Sequence, residues 1–309
     1  METVMITGGT GLIGRALTKE LVSRGYNVMI LTRGRSTAAK RSGVQYAHWD
    51  VERQSIDKDA VAQADHLVHL AGANVAEGRW TEARKREIVE SRTKSGTLLV
   101  RALKEYPNSI KTVVSASAIG WYGSDPQVPN QRPFTESAPA DRGFLGATCR
   151  QWEDSISGMV ELGKRLVILR TGIVLSTEGG AYKEFEKPLR FGVASVLGNG
   201  KQVVSWIHIA DLVGMYMMAL QNERWQGVYN AVAPAPVSNR ELIATIAKQR
   251  GKFYITTKVP EAALKVALGE MSIEVLKSAT VSGRKAEEAG YRFLFPNIGT
   301  AVHNLVHKK

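Results

Sequence analysis

The chain has 309 residues, 44% hydrophobic and 23% charged, the composition of a globular protein long enough for one large domain and a smaller lobe. No apolar run approaches the roughly 20 residues that cross a bilayer, the first residues enter a strand without a basic, apolar leader, and the single cysteine, Cys149, excludes an internal disulfide; a cytoplasmic chain with no membrane partner is expected. The charge of +12 raises nucleic acid as a partner, but the basic residues are scattered, with groupings only at Arg33, Arg35, Lys40 and Arg41 and at Arg79, Arg84, Lys85 and Arg86, and no helix-turn-helix or zinc-finger spacing accompanies them, so none is expected.

A strand is predicted over residues 3–6, where Val4, Met5 and Ile6 run into Gly8, Gly11 and Gly14 and then into an amphipathic helix over 12–22. The glycine spacing has a reason. The first permits a tight strand-to-helix turn, the second lets a pyrophosphate approach the backbone, and the third lets the helix pack closely on the strand. The helix N-terminus then turns free N–H groups and the positive end of its dipole toward phosphate. Further strands are predicted over 27–32, 44–47, 66–70, 111–115 and 165–170, alternating with helices. Residues 81–105 read as a long crossover helix with Ile88, Leu98, Leu99, Ala102 and Leu103 on its apolar side. Residues 123–143, rich in Pro, Asn, Asp and Gly, read as a long loop over the sheet edge beside a ligand, and a helix is predicted over 144–155. Gly179, Gly180, Gly192, Gly198 and Gly200 punctuate 176–202 and open a smaller lobe. The chain returns to the sheet through a helix within 208–220, opening near Asp211. It leaves at Ala233, Pro234, Ala235 and Pro236 for helices over 239–251, 261–268 and 298–306.

This alternation predicts an α/β fold, a Rossmann-type doubly wound parallel sheet with a smaller C-terminal substrate lobe. The nucleotide domain is expected over 1–175 plus about 206–232, and the lobe over about 176–205 plus 233–309.

An acidic residue about 20 positions beyond the glycine turn takes the ribose hydroxyl in NAD-preferring folds, whereas arginine suits a 2'-phosphate. No Asp or Glu lies between Leu21 and Trp49; the second strand instead delivers Thr32, Arg33, Gly34, Arg35 and Ser36. NADP(H) is therefore the expected cofactor, with Arg33, Arg35 and Ser36 on the extra phosphate; Arg33 capping the sheet edge is the alternative. Asp50 either reaches the adenine amino group or starts a helix.

These residues resemble the extended branch of the short-chain dehydrogenase/reductase superfamily, the epimerases and dehydratases of nucleotide sugars. The resemblance is carried by TGGTGLIG at 7–14, HLAGA at 69–73, VSASAIGWYG at 114–123, LRTGIVL at 169–175 and WIHIADL at 206–212, and it covers nearly the whole chain. More narrowly the chain is similar to an atypical epimerase-like subfamily, through RWTEARK at 79–85, NAVAPAPVSNREL at 230–242, LGEMS at 268–272 and AGYRF at 289–293. Some relatives there carry a cell-division-inhibitor label. The resemblance implies cofactor contacts from Gly8, Thr10, Gly11, Leu12, Ile13 and Gly14, from Leu70, Ala71 and Gly72, and from Thr171, Gly172, Ile173 and Val174 beside the nicotinamide. It puts Ser117 at the catalytic serine position, where the hydroxyl would hold a substrate oxygen; capping the strand end is the plainer role.

The resemblance also implies a Tyr-x-x-x-Lys pair on the following helix, and the chain lacks it: Leu145 and Cys149 occupy the two positions. The one such spacing, Tyr254 to Lys258, falls in a strand-like stretch of the C-terminal lobe. Replacement proton carriers are Tyr122, the nearest phenol to Ser117, with Cys149 and His208 beside the substrate; their plainer roles are a packing aromatic, a small buried hydrophobe and a turn partner. Arg79 and Trp80 would wall a pocket for an anionic or planar substrate, or Trp80 would dock a helix. His303 and His307 have the spacing of a metal pair but no accompanying carboxylate, so no metal is expected. The reading is an NADP(H)-dependent oxidoreductase or epimerase-like enzyme acting on an unidentified small molecule, compatible with a homodimer. The alternative is a non-catalytic NADPH-binding redox sensor or regulatory interaction protein.

Overall fold

The computed structural model describes residues 1–34 and 43–307. In chain order come β1 (Thr3–Thr7), α1 (Leu12–Ser23), β2 (Asn27–Thr32), β3 (Val44–Asp50), β4 (Ser55–Ile56), α2 (Lys58–Gln63), β5 (His66–His69), α3 (Glu82–Glu105), β6 (Thr112–Ala118), a 3-10 turn (Ile119–Trp121) and α4 (Phe144–Ser157). Then follow β7 (Arg165–Thr171), β8 (Ile173–Leu175), α5 (Ala181–Leu189), β9 (Val193–Leu197), β10 (Val203–Val204), β11 (Trp206–His208), α6 (Ile209–Gln221), β12 (Gly227–Ala231), β13 (Val237–Ser238), α7 (Asn239–Gln249), β14 (Ile255–Val259), α8 (Glu261–Leu268), α9 (Ser272–Leu276), α10 (Arg284–Glu288) and α11 (Ile298–His307).

Among the described residues, eight strands form one sheet in the order β12, β7, β6, β5, β1, β2, β3, β4. It is parallel except where β4 turns back antiparallel on β3. The order reverses at β1, so the crevice between the carboxyl ends of β1 and β5 is the switch point at which such sheets bind ligands. β5 and all but the last residue of β6 are buried on both sides, which is why apolar residues stand side by side at Leu67 and Val68 and at Val113 and Val114.

The two faces read off alternate residues of β1. Val4 and Ile6 join Leu17 and Leu21 of α1 and Leu212, Met215 and Tyr216 of α6 on one face. Met5 joins Leu98 and Leu99 of α3 and Ile156 of α4 on the other. Each such leucine or isoleucine contributes about 1.5–3 kcal/mol by leaving water. A third core gathers Tyr182 and Leu189 of α5, Leu242 and Ile246 of α7 and Val302 and Leu305 of α11 around Trp206.

Local rules account for the element starts. Thr81 caps α3, its side chain accepting from Arg84 N at 3.2 Å. His208 caps α6 through Nδ1, so that the helix starts at Ile209, with Asp211 in its first turn. Asp211 lies buried in the first turn, accepting from Leu294 N at 2.7 Å and Phe295 N at 3.0 Å, and fastens the C-terminal segment to α6. β12 was not expected as a strand; it is short and carries Gly227 and Asn230, yet it pairs with β7 along its whole length.

Candidate functional site

The turn between β1 and α1 is shaped for an anion. Gly8 has φ +69°, a conformation L side chains rarely adopt, and its carbonyl accepts from Gly11 N at 3.0 Å. A Cβ on Gly14 would lie 2.4 Å from that same carbonyl oxygen and 2.6 Å from Gly9 Cα, so only glycine lets α1 come this close. α1 begins at Leu12 with Gly11 as a cap that has no side chain to satisfy it and no acid in the first turn. The first amides of α1, those of Leu12, Ile13 and Gly14, are therefore free to receive phosphate oxygens. Thr10 and Gly11 are exposed and Leu12 and Ile13 half-buried at the mouth. The residues present fit a dinucleotide pyrophosphate.

The floor of this cradle is a buried relay that the sequence reading missed. Thr7 Oγ1 accepts from Leu70 N at 3.0 Å and Ala71 N at 3.1 Å, and lies 2.7 Å from His69 Nδ1. With its lone pairs taken by two amides, the hydroxyl gives its proton to Nδ1, which leaves the hydrogen of His69 on Nε2, 3.3 Å from Ser95 Oγ. Burial, helped by the Arg92 cation, lowers the His69 pKa to about 3, so the ring is neutral. The relay holds Leu70 and Ala71 against Gly8. Gly72 follows under the Arg92 side chain, whose guanidinium donates to Ala73 O and lies 4.8 Å from the Trp152 ring.

At the adenosine end Arg33 is exposed just beyond β2, on the carboxyl edge of the sheet. Arg35 and Ser36 lie outside the described residues. Asp50 closes β3 and accepts from Arg53 N at 2.9 Å. It starts no helix; Asp57 caps α2 instead.

Across the crevice, Thr171 ends β7, Gly172 N donates to Ala231 O, and Ile173 N donates to Ser205 O. Ile173 is partly exposed and Val174 half-buried. The loop after β8 approaches the glycine turn, since a Cβ on Gly180 would meet Leu12 Cδ2 at 3.3 Å. The same Cβ would lie 3.6 Å from Val174 O, so Gly180 sits between the phosphate turn and the segment that the resemblance assigns to the nicotinamide.

Ser117 is buried, and its hydroxyl donates to Glu153 Oε1 at 2.7 Å. Arg170 grips both oxygens of Glu153, Nε to Oε1 at 2.8 Å and Nη2 to Oε2 at 2.9 Å, while its guanidinium lies 3.5 Å from the centre of the Trp121 ring. Tyr122 donates to Asn230 Oδ1 at 2.6 Å, accepts from Arg170 Nη1 at 3.2 Å and stacks on Phe134. The partners of Tyr122 favour the plainer of its two expected roles, a packing aromatic. The side chain is fully buried, its proton is committed to Asn230, and burial raises its pKa, so it packs the loop. Cys149 donates to Ala118 O at 3.6 Å, and burial pushes its thiol up to about 11, keeping it protonated at neutral pH. Leu145 lies against Gly120. Tyr254 partners Arg250 beside β14, far in the fold from α4.

The three residues expected at a pocket wall, Trp80, Arg79 and His208, each have partners within the protein. Trp80 is buried, donates Nε1 to Val75 O at 2.8 Å and packs edge-on to Phe144, which docks the start of α3 on α4. Arg79 turns to the Val266 carbonyl of α8. His208 is buried as the α6 cap, its ring tilted by 40° against that of Phe295 with the centres 4.0 Å apart. Lys85 pairs with Glu270, so the start of α3 and the segment around α8 are strapped together, joining the motifs RWTEARK and LGEMS. His303 lies against His307 and Gln249; among the described residues no group of three or more His, Cys, Asp or Glu side chains could hold a metal. No described helix is long and apolar enough to cross a membrane.

The profile of the NAD dependent epimerase/dehydratase family matches residues 4–147, and a domain of unknown function, DUF1731, matches 259–305. The epimerase family protein YfhF of Bacillus subtilis is 33% identical over 304 residues, spanning 98% of this chain and 97% of the relative. The crystal structure of the human epimerase family protein SDR39U1 (isoform 2) with NADPH superposes with a TM-score of 0.86 at 28% identity, covering 99% of this chain and all of that one. The nucleoside-diphosphate sugar epimerase from Corynebacterium glutamicum superposes with a TM-score of 0.77 at 31% identity, over 100% of this chain and 59% of that one.

Proposed function

Because the chain belongs to the NAD dependent epimerase/dehydratase family, we propose that it is an NADP(H)-dependent oxidoreductase or epimerase-like enzyme acting on a small molecule. The observation that carries this reading is the uncapped N-terminus of α1 behind Gly8 and Gly14, with Gly180 set between its Leu12 and the Val174 carbonyl. The amides at the start of α1 would hold the pyrophosphate. Arg33 at the carboxyl edge of β2 supports the preference for a 2'-phosphate, and the NADPH in the human relative's structure agrees with it. When bound, the nicotinamide supplies hydride chemistry. The chain's part is to orient that ring with the 171–174 backbone and to receive the substrate beside the turn that leaves Ser117.

A second reading, an NADPH-binding sensor that turns nothing over, is favoured by one observation: the Ser117 hydroxyl and the Tyr122 phenol are both committed inside the protein. Incubation with NADPH deuterated at C4 and a panel of carbonyl compounds and nucleotide sugars separates the two. Stereospecific loss of deuterium into a product supports the enzyme. Inertness across the panel, with NADPH bound, favours the sensor.

A further inference from the structure

The C-terminal segment brings a cation to the turn that leaves Ser117. Lys277 directly follows α9, within the stretch matched to the domain of unknown function. Its side chain is only 10% exposed, and Nζ donates to Tyr122 O at 3.2 Å and pairs with Glu274 at 2.5 Å. Residues next to it are locked onto the long loop. Asp125 accepts from Ser278 Oγ at 2.8 Å, Thr280 N at 2.9 Å, Thr280 Oγ1 at 2.7 Å and Asn130 Nδ2 at 2.8 Å, while Asp125 N donates to Ser278 O at 2.7 Å. A flexible four-carbon side chain is thus carried on a fixed base.

The placement is what matters. The 3-10 turn Ile119–Trp121 leaves β6 directly after Ser117 and Ala118. Cys149, at the helix position where the resemblance implies a lysine, touches the start of that turn through Ala118 O. Lys277 touches its end through Tyr122 O. The thiol also feels the Lys277 charge, which pulls against the larger effect of burial. The position that the resemblance gives to a lysine thus holds a thiol on α4, while a lysine reaches the same turn from the C-terminal segment.

We propose that Lys277 presents its ammonium to a substrate oxygen, carbonyl or hydroxyl, at the nicotinamide end of the crevice, where negative charge develops as hydride moves. Two of its three N–H donors have protein partners and the third is directed by neither. A fixed ammonium at a developing oxyanion is among the stronger electrostatic contributions a site can make. The proposal rests on the reading that this crevice takes NADP(H), and its test is chosen to fail separately from that reading.

Sulfite adds to C4 of oxidised nicotinamide, forming a carbon–sulfur bond and placing its anionic oxygens where a substrate oxygen would sit. The protein with NADP+ bound is titrated with sulfite, following the near-ultraviolet absorbance of the adduct, in wild type, Lys277→Met, Lys277→Gln and Lys277→Arg. NADP+ affinity and thermal melting are measured in parallel; Lys277→Gln retains a donor for Tyr122 O should Lys277→Met fail to fold. Loss of about tenfold or more in sulfite affinity in the neutral variants, unchanged NADP+ affinity and recovery in Lys277→Arg are expected. Equal sulfite affinity in wild type and neutral variants, or no adduct on wild type with NADP+ bound, overturns the proposal alone. Failure to bind NADP+ overturns the underlying reading and this proposal with it.

Discussion

Ser117 and Glu153, 36 positions apart, share a 2.7 Å hydrogen bond in which the hydroxyl donates, and Arg170 closes the pair by holding both carboxylate oxygens. Glu153 and Arg170 are both nearly inaccessible. Removing one partner of such a pair leaves a buried uncompensated charge, so Glu153→Ala should lower unfolding free energy in urea by about 3–5 kcal/mol. Ser117→Ala removes one hydrogen bond and should cost about 1–2 kcal/mol with NADPH affinity unchanged. Equal stability of wild type and Glu153→Ala would show that the network contributes nothing.

The neutral His69 ties stability to pH. Its folded pKa of about 3 lies below the ordinary 6.5, so between those values the unfolded chain binds the extra proton. The stabilisation is complete above about pH 6.5 and is lost as pH falls toward 3, with a slope approaching about 1.4 kcal/mol per pH unit from this residue. His69→Asn should flatten that part of the profile in a series of urea melts. An unchanged slope would mean another group carries it.

Gly14→Ala sets a methyl group against the Gly8 carbonyl, a backbone atom that cannot move aside. The variant should lose about 1–3 kcal/mol of stability and most of its NADPH affinity. At Gly11 a Cβ would meet the same oxygen at 3.3 Å, so Gly11→Ala should fold nearly as well as wild type. Fluorescence titration and thermal melting of the two variants test the difference.

The ion pair of Lys85 with Glu270, which joins α3 to the segment after α8, is reversible by exchange of charge. Lys85→Glu or Glu270→Lys alone should raise hydrogen exchange of the amides over Glu261–Leu268, and the double exchange should restore protection. No rise in either single variant would show that Arg79 on the Val266 carbonyl holds α8 without the ion pair.

Much of the fold was legible because doubly buried strands read as continuous apolar runs: 66–70 and 111–115 fall close to β5 and β6. The glycine turn was legible because its spacing is a backbone requirement, and Gly8 and Gly14 meet it by conformation and by contact. β12 was hidden because Asn230 serves Tyr122 rather than the strand's hydrophobicity. The pairing of Glu153 with Ser117 and Arg170 depends on the register that sets Ser117 beside Arg170, which no local pattern announces. Trp80 and His208 look like pocket residues in sequence because an aromatic or imidazole serves equally well in packing and capping; only their partners, Val75 and Ala210, decide. Lys277 gave no signal at all, since a lone lysine after a short helix is ordinary until Tyr122 appears beside it.

Arg33 stands at the carboxyl edge of β2 without a competing acid on that strand. Arg33→Glu should weaken NADPH about tenfold or more while leaving NADH nearly unchanged, measured by titration with both coenzymes. Loss of both in equal measure would move the 2'-phosphate contact elsewhere.

An uncapped α1 turn that holds the pyrophosphate of NADP(H) must bind the free coenzyme. Calorimetric titration of the purified chain with NADPH and NADH tests it most directly. Binding of one coenzyme per chain, tighter for NADPH, is expected; heat absent from both titrations would rule out a coenzyme site at this turn.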